Sequence, residues 1–142
     1  MKLEKEFVVP RTRAAVAKIF DEDATYAQLF PDTRLVSSKA GARETSTSYS
    51  ALGQSRDIRF VFKTQPDGNV RFEKVCDGRV WRQLDGSLSF AACGKGATLV
   101  RIEMEGRTKA LVPEFTIKGP MQEQIEQMAD ALRRCIEGAS AR

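Results

Sequence analysis

The amino-acid sequence predicts an α+β fold in which a bent antiparallel sheet of seven strands wraps around one long C-terminal helix, with two short helices after the first strand. Three observations carry this expectation. Apolar residues recur at Met121, Ile125, Met128, Leu132, Cys135 and Ile136, which lays one apolar stripe along a helix from 120 to 137. Between residues 33 and 109, alternating segments are divided by turn signals. The connections between those segments are too short for crossovers, so consecutive strands pair as an antiparallel meander.

Residues 2–9 open the chain as a half-buried strand, with Leu3, Lys5, Phe7 and Val9 alternating against Lys2, Glu4, Glu6 and Val8 until Pro10 ends it. Thr12 is placed to cap a short helix whose apolar face is Ala14, Val16, Ala17, Ile19 and Phe20. A second short helix, 24–30, presents Tyr26, Leu29 and Phe30 and stops at Pro31. Strands follow at 34–39, 43–52, 56–65, 70–76, 80–92 and 98–109. Pro66-Asp67-Gly68-Asn69 is the clearest hairpin turn. The strongest strand signal is Val100, Ile102 and Met104 alternating against Arg101, Glu103 and Glu105. Asp85-Gly86 falls inside the sixth strand and is read as a bulge in one long bent strand rather than as a hairpin. Pro120 starts the final helix, where a missing N–H costs nothing, and Gly138 stops it. Gly119-Pro120 breaks the chain before that helix, so residues 113–119 are expected to move separately and gate a cavity.

A chain of 142 residues suits one domain, here 1–142, with 42% apolar and 30% charged residues. The net charge of +4 is scattered and includes no long basic run, which points away from nucleic acid and is compatible with transient contact with a membrane surface. Cys76, Cys93 and Cys135 are too dispersed for a disulfide framework or a metal cluster and read as reduced, partly buried thiols. With no histidine, His-based triads and histidine zinc sites are excluded. No cofactor is implied. The start of the chain is charged where a signal peptide is apolar, and no run approaches the roughly 20 apolar residues that span a bilayer, so a cytoplasmic protein is expected.

A bent sheet closing on a long helix leaves an apolar space between them, a common place for a small molecule. The order of elements resembles the SRPBCC superfamily, the helix-grip fold of START lipid-transfer domains, pollen-allergen-like proteins, polyketide cyclases and coenzyme Q-binding proteins. The resemblance covers nearly the whole chain. It rests on Val9-Pro10, on Asp23 with Tyr26, Leu29 and Pro31, on Gly86, Leu88 and Phe90, on Gly96, Thr98 and Val100, and on Pro113 and Phe115 before the helix. Many relatives carry tryptophan where this chain has Leu88.

Phe60, Phe62, Phe72, Trp81, Phe90, Met104, Phe115, Met121 and Met128 fall on expected inner faces and as a set are candidates for lining the space, although apolar stripes are usually core and each alone reads more readily so. In the run 44–50, the alternate residues Thr45, Thr47 and Tyr49 could orient a ligand oxygen, or the run could be a solvated strand rich in threonine. Arg82 could project inward as a counter-charge, or lie outside with its stem on apolar surface. Gly94-Lys95-Gly96 lacks the spacing and following helix of a phosphate loop and reads as a hairpin turn. Asp21, Glu22 and Asp23 could bind a cation, but acidic residues at helix ends more often serve caps.

Three functions follow. The first is a module that binds a small hydrophobic ligand such as a lipid, a quinone or a polyketide-like compound. The second is a polyketide cyclase or dehydratase, which needs an acid–base pair that the sequence does not present. The third is a protein–protein adaptor, which an exposed apolar patch would favour.

Overall fold

Alternation of apolar and polar residues, rather than helix propensity, decides most of this chain. In the computed structural model, residues 1–51, 54–75 and 81–138 are described, without the side chains of 49–51 and 54–56. The strands are β1 (Lys2–Val9), β2 (Thr33–Lys39), β3 (Ala42–Ala51), β4 (Gln54–Thr64), β5 (Val70–Lys74), β6 (Trp81–Ala92) and β7 (Thr98–Thr108). The helices are α1 (Arg13–Phe20), α2 (Asp23–Ala27) and α3 (Lys118–Gly138), and a 3-10 turn, Glu114–Thr116, precedes α3. All seven strands form one antiparallel sheet in the order β1-β7-β6-β5-β4-β3-β2, so the chain's first strand closes on its last.

Register follows the period-2 pattern. Phe7 faces Val100, Leu88 faces both Ile102 and Val70, Phe72 faces Phe62, and Phe60 faces Thr45, which puts one apolar set on the face toward α3. The helix answers with buried Met121, Ile125, Met128, Ala129, Ala131, Leu132 and Ile136. Each large side chain so buried contributes roughly 1.5–3 kcal/mol. No helix among the described residues is long and apolar enough to cross a membrane.

Four expectations are corrected. The second helix ends at Ala27 instead of reaching Phe30, because the Gln28 and Leu29 N–H groups bond back to Thr25 and Tyr26 in tight turns. Leu29 and Phe30 are nevertheless buried, so packing and not helix supplies their apolar spacing. The final helix begins at Lys118. Its first bond runs from Met121 N–H to the Ile117 carbonyl, so Gly119 and Pro120 sit within the first turn, where N–H groups have no helical acceptor, and no break separates them from the helix.

The sixth strand is continuous, as expected, but its register shift lies between Trp81 and Gln83 and not at Gly86. Gly86 serves close approach instead. A Cβ there would stand 2.1 Å from the Glu103 carbonyl oxygen and 2.5 Å from Phe72 Cζ, so the missing side chain is what lets the Phe72 ring lie on β6. Gly106 does the same for the Trp81 ring on β7, where a Cβ would meet Cζ3 at 2.4 Å.

α1 begins as expected, with the Thr12 hydroxyl accepting from Ala15 N–H. At the far end of β1, the buried Thr98 hydroxyl donates to the Arg11 carbonyl at 2.7 Å and fixes the turn into α1. The Phe20 and Phe90 rings stack at 4.9 Å and join α1 to β6.

Candidate functional site

The inner face has two chemical zones. Over β1, β7, β6 and β5 it is apolar, with Val100, Ile102, Met104, Leu88, Phe90 and Phe72 buried. On β4 and β3 it changes, because Phe60 and Phe62 pair with Thr45 and Arg43, and Ile58 pairs with Thr47. Thr45 and Thr47 are buried, and the Thr47 hydroxyl lies 2.7 Å from that of Thr33 on β2. A band of hydroxyls therefore borders an aromatic surface made by Phe30, Phe60, Phe62 and Phe72, whose neighbouring rings are 5.7–6.3 Å apart.

The band ends in a charged node. Arg43 is buried, its Nε donates to the Asp23 carboxylate at 2.7 Å, and a guanidinium nitrogen donates to the Asp21 carbonyl at 2.7 Å. Its guanidinium also lies over the Tyr26 ring. The Tyr26 hydroxyl donates to the Phe20 carbonyl, and burial pushes its pKa up to about 12. That phenol stays protonated near neutral pH and is already committed to an acceptor. Asp23 is held below the ordinary carboxyl value by Arg43 first and by the Ser38 hydroxyl second. The node ties α1 and α2 to β3 and pairs Arg43 with Asp21 and Asp23, two of the three carboxylates that the sequence offered to a cation.

The candidate residues divide. Phe60, Phe62, Phe72, Trp81, Phe90, Met104, Met121 and Met128 are all buried in one cluster with Ile125 and Leu132. Met121 and Met128 are as deeply buried as Ile125 and Leu132, so the two methionines border no open cavity, and side chains fill the space between sheet and helix. Arg82 is exposed, since the register shift beside it keeps Trp81 inward, and it supplies no counter-charge to the interior. Phe115 is 82% exposed because the 3-10 turn directs it outward, so it does not lie on an inner face. The side chain of Tyr49 lies outside the described residues, as does Cys76. Cys93 is exposed, and the half-buried Cys135 thiol points to the Gln28 side-chain oxygen at 3.6 Å.

Sequence reasoning missed Arg43 and Thr33. Arg43 was legible in principle, because it shares the alternate face of Thr45 and Thr47. Thr33 emerges only from the pairing of β2 with β3.

A depression of about 570 Å³ lies on the opposite, outer face, lined by Lys2, Arg71, Asp85, Ser87, Ser89, Glu103 and Glu105 among others. It is open and of mixed charge, and it offers an apolar molecule no enclosure.

Three solved structures place the architecture. The chain is similar to the Zhui aromatase/cyclase from Streptomyces sp. R1128, with a TM-score of 0.74 and 12% identity over 100% of this chain and 94% of that one. It is similar to a START superfamily protein from Mycobacterium smegmatis, with a TM-score of 0.71 and 18% identity over 97% and 98%. It is also similar to a STAR-related lipid transfer protein from Xanthomonas axonopodis, with a TM-score of 0.67 and 18% identity over 96% and 85%. No family model and no curated protein matches the sequence. The chain shares the helix-grip fold of these structures, a seven-stranded antiparallel sheet around a long C-terminal helix.

Proposed function

We propose that this protein encloses one small, mainly apolar molecule, a lipid, a quinone or a polyketide-like compound, between the inner sheet face and α3. The observation that supports this most is the juxtaposition of an aromatic surface with the Thr33 and Thr47 hydroxyls on the same inner face. An apolar body would lie on the rings while a terminal oxygen replaces the bond between the two hydroxyls, leaving no buried polar atom without a partner. Room for it comes from rotamer changes of Met104, Met121 and Met128, whose unbranched side chains repack at low cost. The structural similarity to a START superfamily protein and to a STAR-related lipid transfer protein agrees with this reading.

A second reading, a cyclase or dehydratase acting on the enclosed molecule, is favoured by the aromatase/cyclase neighbour. It requires an acid or base facing the ligand. Among the described residues of the inner face, the ionisable groups Arg43 and Tyr26 are both tied into the charged node.

Titration with 1-naphthol and with naphthalene tests the proposal. The wild-type protein should take up both saturably. Thr33→Val with Thr47→Val should weaken 1-naphthol by about fivefold, the worth of one neutral hydrogen bond, and leave naphthalene unchanged. Absence of uptake by the wild type, or equal loss for both probes, would contradict it.

A further inference from the structure

The two most exposed large apolar residues of the described structure, Leu111 at 96% and Phe115 at 82%, stand four residues apart in the connection between β7 and α3. Ordered turns present them. Val112 N–H bonds to the Lys109 carbonyl at 2.9 Å, and the Thr108 hydroxyl donates to the Val112 carbonyl at 2.7 Å, which places Leu111 at the tip of a tight turn. The N–H groups of Thr116 and Ile117 bond to the carbonyls of Pro113 and Glu114, which closes the 3-10 turn beneath Phe115. Ile117 packs against the core and anchors the far side. The surface is therefore a fixed pair of projecting apolar side chains.

Its electrostatics are one-sided. Residues 107–118 hold three basic groups, Arg107, Lys109 and Lys118, all exposed, against one acidic group. That acid, Glu114, lies 3.7 Å from the Met1 ammonium. Val75, half exposed, follows β5 at the same end of the sheet.

We infer that residues 107–118 dock the protein onto an anionic lipid bilayer, with Leu111 and Phe115 entering the acyl boundary and Arg107, Lys109 and Lys118 resting on the headgroups. Projecting side chains favour a membrane over a protein partner, because a protein interface would present complementary relief whereas a bilayer accepts any protruding apolar group. The basic rim matches the negative surface potential of such a membrane. The inference rests on the ligand-binding proposal and deepens it: a protein docked through this segment would exchange an apolar molecule with the bilayer without passing it through water.

Flotation with vesicles of phosphatidylcholine, with and without 30% phosphatidylglycerol, tests it, and the phosphatidylglycerol fraction is chosen at roughly physiological anionic content. The wild type should float with the anionic vesicles at low salt. Leu111→Ser with Phe115→Ser should reduce partitioning by about tenfold or more, since each removes a buried apolar group. Lys109→Gln and Lys118→Gln should each reduce it by about fivefold, an effect that fades as salt is raised. Uptake of 1-naphthol without vesicles, and the melting temperature, should be unchanged in all these variants. Wild-type protein that stays with the soluble fraction, or variants that float equally, would overturn the docking inference and leave the patch to an acidic protein partner. Naphthol uptake that fails while flotation succeeds would instead overturn the ligand-binding proposal alone.

Discussion

The Arg43 guanidinium lies 4.9 Å from the centre of the Tyr26 ring while its Nε donates to Asp23, so one buried cation joins the third strand to both short helices. Arg43→Met keeps most of the stem and removes the charge. It should cost about 1.5–3 kcal/mol, the range for a hydrogen bond to a charged group, as measured by urea unfolding. A change below 0.5 kcal/mol, the level of ordinary surface substitutions, would mean that the node holds nothing together.

The same node sets an acid limit. Because Arg43 lowers the Asp23 pKa in the folded state, the stabilisation it gives is complete above the ordinary carboxyl value of 3.8 and is lost as pH falls below that toward the folded value. Asp23→Asn should therefore melt below wild type at neutral pH, and the gap should close as the pH drops through that window. A gap that is constant down to the most acidic conditions would exclude Asp23 as its source.

Position 86 should refuse any side chain. The Cβ of Gly86→Ala would collide with a backbone oxygen as well as with the Phe72 ring, so neither can yield alone. Overpacking of this kind costs about 1–3 kcal/mol, and the substitution should fall at or above the top of that range. Denaturant unfolding reporting a neutral change would place Gly86 in a bend with free space.

Leu132→Ala and Met128→Ala should destabilise alike, by about 2–5 kcal/mol each, because both side chains are fully buried. Both should also change probe uptake, tightening binding of naphthalene by enlarging the space beneath α3. Uptake unchanged in both variants would assign both side chains to the core alone.

The fold was legible because its periodicities are unmixed. Val100, Ile102 and Met104 declare a strand face, and Ile125, Met128, Leu132 and Ile136 declare a helix face, so the sheet-on-helix arrangement follows from burying both. Misreadings came where one residue type serves two purposes. Gly86 signals a bulge or a close approach, and only the distance to Phe72 decides between them. Pro31 and the spacing of Tyr26, Leu29 and Phe30 suggested a longer second helix, whereas the chain leaves the helix at Ala27 and still buries both residues. Phe115 read as an inner-face residue lining the space, and a three-residue turn was enough to send it outward. Arg43 depends on carboxylates 20 and 22 positions earlier, a pairing that no local pattern marks.

The central claim is that the grip between sheet and helix holds a ligand. Native mass spectrometry of gently purified wild-type protein, before and after addition of dodecanoic acid, addresses it most directly. The account predicts one bound molecule per chain, carried over from purification or acquired from the added acid, and weaker retention in the Thr33→Val, Thr47→Val variant. A bare chain under both conditions, in a sample that also takes up neither naphthalene nor 1-naphthol, would contradict it.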